Sequence, residues 1–254
     1  MTTASRSGAV VAMRPGYMEE TVVRSAPTGC CRIGIVSRID PTASFRVLVA
    51  EGAGIVELND AIAAALGRRS SGGRAIREVA KRCRATDASS LASFLWDDIG
   101  LRGDTDSYDA LANSFVGEAL ERQKGIPITI AAVALGIAAE RGIDLVGIGM
   151  PGHFLLSERG GAGPFFDLFH GPEPLDAQAC QRLCGAVTGS RRWSVDFLAA
   201  VDANAMALRM LTNLKSVYRR SGDERSLRTV MLLRETFLGG SEREEFARLM
   251  RATN

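Results

Sequence analysis

Residues 125–169 read GIPITIAAVALGIAAERGIDLVGIGMPGHFLLSERGGAGPFFDLF, and their punctuation decides the fold. An apolar run from Ile126 to Arg141 carries Pro127 in its first turn, where a missing N–H costs nothing, and Gly142 at its end. It reads as a helix. Three short runs follow, Leu145–Met150, His153–Glu158 and Phe165–Phe169, separated by Pro151-Gly152 and Gly160-Gly161. They read as a three-stranded antiparallel sheet. His153 opens one strand and Asp167 interrupts another that is otherwise apolar. A carboxylate there is costly to bury unless paired, and fourteen residues fit two strands and a loop, so the two side chains are expected to face each other. A helix start facing an imidazole–carboxylate pair is where a thiol nucleophile would sit. Here it carries Pro127.

Upstream the pattern is helical. Gly54–Leu66 places Ile55, Leu58, Ile62 and Leu66 on one face; Ile76–Arg84, Leu91–Ile99 and Leu111–Arg122 are amphipathic, with Arg69–Gly73 and Gly100–Ser107 as loops. Gly125 is the expected C-cap of the last of these. Downstream, Asp176 is an N-cap for Ala177–Gly185, Val195–Arg219 reads as one long helix, and Leu227–Leu238 and Glu242–Met250 as a helical pair. Residues 1–41 have no clean period, apart from a short strand at Ile33–Ile39, and read as a loosely packed leader. The expected organisation is a leader (1–41), an α+β core with a helical first half and a small antiparallel sheet (42–190), and a helical tail (191–254).

With 254 residues and 46% hydrophobic content the chain can bury a large core. A net charge of +2 implies no nucleic-acid partner. The clusters Arg68–Arg74 and Arg191–Arg192 read as solvated loop charge. Five cysteines, Cys30, Cys31, Cys83, Cys180 and Cys184, form no CxxC pairing and suit a reducing, cytoplasmic setting. No apolar run is long enough for a membrane span.

The chemistry reduces to a few residues. His153 suits general acid–base work if a carboxylate orients it, and Asp167 is that carboxylate. His170 lies in a Gly/Pro-rich turn and reads as exposed and structural. Cys180 and Cys184, four apart on a helix, have ligand spacing but suit core packing better; Cys83 reads as core. Thr129 offers a hydroxyl in a first helical turn, where packing or capping is commoner. Asn113 either bonds across to the Gly125–Pro127 loop or caps a helix; Arg102 and Tyr108 sit in a polar loop able to line a cleft. No cofactor or metal set is read, and no phosphate-binding, zincin or esterase motif is present.

Several of these residues recur in order in a known family. Leu101-Arg102-Gly103-Asp104, Tyr108, Asn113-Ser114-Phe115, RQKGIPI at Arg122–Ile128, PGHFL at Pro151–Leu155, DLF at Asp167–Phe169, and Asn213-Leu214-Lys215 with Tyr218 and Gly222-Asp223 resemble the SirB family, a bacterial branch of the transglutaminase-like superfamily. The resemblance spans roughly Leu91 to Glu235. It implies a papain-like α+β core and a tetratricopeptide-like helical tail. It also implies that His153 and Asp167 match the superfamily's catalytic His and Asp, while the catalytic Cys, two residues after a Gly, falls on Pro127. Leu168 stands where the branch usually has Pro. The resulting expectation is a non-catalytic binding or regulatory module with a protein or peptide partner. The alternative is an amide or ester hydrolase, or an acyltransferase, using His153–Asp167 with water or a thiol from elsewhere.

Overall fold

The computed structural model describes residues 41–160 and 163–237. The leader (apart from Pro41), the strand read at Ile33–Ile39, Cys30, Cys31 and the helix read at Glu242–Met250 lie outside the described residues. In chain order the elements are α1 (Pro41–Ala50), α2 (Ile55–Ala65), α3 (Gly72–Arg82), α4 (Ala88–Ser93), β1 (Arg102–Gly103), α5 (Val116–Arg122), β2 (Lys124–Gly125) and α6 (Pro127–Arg141). Then follow β3 (Leu145–Ile148), β4 (Leu155–Glu158), β5 (Phe165–Phe166), β6 (Pro174–Leu175), α7 (Ala177–Thr188), β7 (Ala200–Val201), α8 (Ala203–Ser221) and α9 (Glu224–Arg234). The mixed α+β class expected from the sequence is what forms.

α6 is the central helix of the described core. Pro127 occupies its first turn, Gly142 closes it at φ 70°, and ten of its residues, from Pro127 to Ala138, are buried. A helix apolar on nearly every side must be surrounded. α2 and α3 cover one side, close enough that a Cβ on Gly136 would meet Val56 Cγ2 at 2.7 Å. The sheet covers another. It is antiparallel throughout, in the order β6-β5-β4-β3-β7, two strands wider than the three read from the sequence. Leu145, Leu156 and Phe166 join the helical core on one face, whereas Val146, Ile148, Leu155 and Phe165 pack with Cys180 and Cys184 of α7 on the other. That alternation is the two-residue period of a strand buried on both sides.

Several local expectations gave way to longer-range contacts. Val195–Arg219 is three elements, not one helix: a 3₁₀ turn at Val195–Leu198, then β7, then α8. Asp202 stops helix propagation by capping α8 through Ala205 N at 2.7 Å, and Val201 pairs with Gly147 of β3. α3 begins at Gly72, inside the stretch read as a loop, because the Asp60 carboxylate reaches over from α2 to accept Gly72 N (2.7 Å) and Gly73 N (2.9 Å). Asp87 caps α4 with Ser90 in a reciprocal box, and Phe94–Asp98 continues as a π-helical turn that still buries Leu91, Phe94, Leu95 and Ile99 as expected. α5 ends on Gln123, which takes φ 56° while its side-chain amide donates to Ile99 O (2.5 Å), and Gly125 is a strand residue rather than a cap.

The helix read at Leu111–Arg122 is broken at Phe115 for a definite reason. The 3₁₀ turn Leu111–Ser114 and α5 are held apart by Asn59 of α2, whose side chain donates to Ser114 O (2.9 Å) and accepts from Val116 N (2.9 Å). Asn59 is 1% exposed. Substituting leucine keeps the volume and leaves a buried N–H and a buried C=O unpaired, at about 3 kcal/mol. For a domain of this size that lowers Tm by roughly 6–12 °C. A Tm within 2 °C of wild type would show that water or a rearranged backbone replaces the bonds.

α8 lays Met206, Met210, Leu211, Leu214 and Tyr218 into the main core, and α9 adds Val230 and Leu233. Among the described residues, no helix is long and apolar enough to cross a membrane.

Candidate functional site

The site is built where β4 begins and β5 ends. Leu156 pairs with Phe166, so continuation of the ladder sets Asp167 opposite Leu155 and leaves His153 its diagonal neighbour. His153 sits in the turn after Gly152, not in the strand itself. Its Nε2 lies 2.8 Å from Asp167 Oδ1, and both residues are buried, 4% and 5% exposed. Backbone bonds steady both: His153 N donates to Met150 O (3.1 Å), and Phe169 N donates to Asp167 Oδ1 (3.2 Å).

The sequence reading missed a third member. His170 is half-exposed, but its Nδ1 lies 2.6 Å from the other carboxylate oxygen, Asp167 Oδ2, and its ring stacks on that of His153 at 5.4 Å and 22°. The signal lay in the spacing: after β5 the chain turns, with His170 N and Gly171 N both donating to Asp167 O, and this folds residue 170 back onto residue 167. One buried carboxylate therefore holds two imidazoles. Burial alone would raise the Asp167 carboxyl pKa, but hydrogen bonds and charge from His153 and then His170 bring it below the ordinary carboxylate range.

Phe169 fits between these rings and Tyr108: its centroid is 5.9 Å from His153, 5.0 Å from His170 and 6.0 Å from Tyr108, each edge-on. Tyr108 is 46% exposed and forms the rim. Phe169 can lie there because residue 103 is glycine; a Cβ would stand 2.5 Å from Phe169 O.

Of the other two residues read as binding candidates, Asn113 supports the loop that carries Tyr108 and Arg102 packs elsewhere, on Trp96. Asn113 is fully buried, and its amide donates to Ser107 O (2.7 Å) and Tyr108 O (3.2 Å). Its link to the Gly125–Pro127 loop is through backbone, Ile126 N to Asn113 O at 3.4 Å. Arg122 donates to Asn113 Oδ1 (2.7 Å) and Asp104 Oδ2 (3.0 Å). Burial works against ionised Asp104, yet bonds from Ser107 N, Asn113 and Arg122 leave its pKa below the ordinary range. Arg102 lies over the Trp96 ring at 3.6 Å and donates to Trp96 O.

Pro127 stands buried at the start of α6 and has no nucleophilic atom. Thr129, in the same turn, is fully buried, and its hydroxyl has no hydrogen-bond partner among the described residues. Among the described residues the free cysteines are Cys83, Cys180 and Cys184, all buried and none bonded to His153. Burial, and then the Asp176 and Asp167 carboxylates, push the Cys180 thiol up to about 11.

A family model described as "Transglutaminase-like superfamily" matches residues 58–212, more than half of the chain and all of the site. The chain belongs to the transglutaminase-like superfamily. Within it, the protein is similar to the UPF0162 protein of Xylella fastidiosa strain 9a5c, 33% identical over 131 residues, which are 49% of this chain and 46% of that protein. A UPF0162 protein of Vibrio cholerae is 38% identical over 58 residues, 23% of this chain and 22% of that protein. Human F-box only protein 21 is 27% identical over 160 residues, 59% of this chain and 24% of that protein. The alignments thus cover about half the length of the Xylella protein and less of the others. No solved structure matches the chain. The transglutaminase-like α+β core expected from the sequence agrees with this membership.

Proposed function

We propose that this transglutaminase-like protein is a non-catalytic, SirB-type member that works as a binding or regulatory module for a protein or peptide partner. The reading is carried by Pro127 at the head of α6, the position on which the SirB resemblance puts the superfamily's thiol, in a chain whose His153–Asp167 pair is held at 2.8 Å. A thiol at a helix start beside an imidazole ionises readily; a pyrrolidine ring offers no atom to attack an acyl carbon. Among the described residues no cysteine is hydrogen-bonded to the imidazole, and the Cys180 thiol is buried with its pKa raised. The exposed Tyr108 ring, edge-on to buried Phe169 beside the two imidazoles, suits contact with a peptide side chain. The antiparallel pair α8 and α9 supports reading the tail as tetratricopeptide-like, and its buried residues already serve the core, so a partner would meet its outer face. The similarity to a stretch of F-box only protein 21, a much longer chain, fits a module used beside other sequence.

The test is turnover. Purified protein offered a peptide anilide, p-nitrophenyl acetate and a glutamine-donor protein with an amine acceptor should give rates equal to buffer and to a His153→Ala variant. A rate above buffer that disappears in His153→Ala would establish the hydrolase or acyltransferase reading instead.

A further inference from the structure

We propose that His153, Asp167 and His170 form a binding site for a transition-metal dication of the zinc class, with both imidazoles and one carboxylate oxygen as ligands. The inference goes beyond the binding-module reading and does not depend on the missing thiol.

Three observations converge on it. The first is geometric. One ligand atom from each of the three residues lies within 4.8 Å of the others. The centre of such a triangle is no more than roughly 2.8 Å from each corner, against the ~2.0–2.2 Å that zinc takes to nitrogen and carboxylate oxygen. Shifts of under about 1 Å at each side chain close the gap, and His170 sits in a turn at the surface.

The second is charge. Among the described residues, the ion-pair partners of Asp167 are these two imidazoles and no lysine or arginine. That carboxylate is only 5% exposed. Such groups are usually paired or ligate a metal. A dication would balance it.

The third is redundancy. A single imidazole–carboxylate bond suffices to orient a histidine. Here Asp167 already holds His153 on Oδ1, and a second imidazole occupies Oδ2. Two histidines and one carboxylate are a donor set suited to zinc, iron, cobalt or nickel rather than magnesium or calcium. Three protein ligands leave a coordination position open, and His170, 55% exposed at its side chain, puts that position at the solvent side.

Binding exchanges two N–H···O bonds for metal–ligand bonds. It needs no net loss of protons from neutral rings: the hydrogen leaves His153 Nε2 for Nδ1, which has no partner among the described residues, and the His170 hydrogen likewise moves to the other ring nitrogen.

The experiment uses the full chain, reduced and stripped with a chelator, and titrates Zn²⁺ in competition with a chromophoric chelator. One equivalent should bind, and His170→Ala and Asp167→Asn should each weaken it by at least about 100-fold, more than loss of an outer-shell partner costs. His170→Ala is half-exposed, and an unchanged Tm shows that it reports on the ligand and not on folding. Co²⁺ in place of Zn²⁺ should give visible d–d absorption without a thiolate charge-transfer band. Failure to compete for Zn²⁺, binding indifferent to both variants, or a thiolate band would overturn the proposal. None of these outcomes bears on the turnover test, so the two readings fail separately.

Discussion

Replacing Phe45 by alanine should destabilise the protein by about 4 kcal/mol, the cost of removing a buried aromatic side chain and leaving a cavity. Phe45 is fully buried in α1, and its ring meets Phe237, just past α9, edge-on at 5.9 Å. It is a joint between the first described helix and the last described turn. The expected fall in Tm is roughly 8–16 °C. The size of the effect reports on architecture as well as on packing. If the helices after residue 203 melted independently of the core, Phe45→Ala would split the transition in two and shift only the lower part. A single cooperative transition moved as a whole is the expected result, because α8 and α9 share their apolar residues with α1 and α2. A shift below 3 °C would mean that neighbouring side chains collapse into the space.

The second large effect concerns thiol chemistry. At pH 8 an ordinary cysteine, with a pKa near ~8.5, is about one-quarter thiolate. The Cys180 thiol, pushed up to about 11, holds roughly 200-fold less at that pH. Its alkylation by iodoacetamide, followed by mass spectrometry of the peptide containing it, should be slower than in urea-unfolded chain by at least that factor. Full burial slows it further. The rate should climb about tenfold per pH unit from 8 to 10. The same raised pKa acts on stability: the unfolded chain ionises this thiol above ~8.5 and the folded chain does not, so stability declines as pH rises from there towards 11. Alkylation at pH 7 as fast as in the unfolded chain would reveal an activated thiol, and would revive a catalytic reading of the His153–Asp167 pair.

What was legible in the sequence were features whose signals are local. Pro127 and Gly142 bracket α6, Asp176 caps α7, and a polar residue in each of two short apolar runs brings His153 to Asp167. What stayed hidden is held by partners far along the chain. Asn59 splits one apparent helix from a position 55 residues away, and Asp60 starts another from across a loop. β7 has two residues and exists only because β3 offers it a ladder. α1 lies almost wholly in a stretch, residues 42–53, for which no element was read from the sequence, and its place is set by the burial of Phe45. At the site, His170 was hidden by its setting, since a Gly/Pro-rich turn reads as solvent-facing until the turn's own hydrogen bonds show where it points. Asn113 and Arg102 were read as binding candidates, and the structure gives both of them partners within the chain. Residue type alone could not tell a ligand contact from Asn113's bond to the Tyr108 loop or Arg102's packing on Trp96.

The short strand β7 has a practical corollary. Gly147 and Ile148 of β3 have their outer neighbours in Val201 and Ala200, so the sheet is closed on that side by a segment that lies well past the last residue of α7. Any shortened version of this protein that stops after Trp193 would uncover a bare sheet margin, with main-chain donors and acceptors aligned for the next molecule to dock on. Clumping of such a fragment would then record an open seam in the sheet, and it should not be mistaken for the loss of a binding partner. A fragment meant to stand alone has to run at least through α8, whose Asp202 cap and Met206 keep that seam shut.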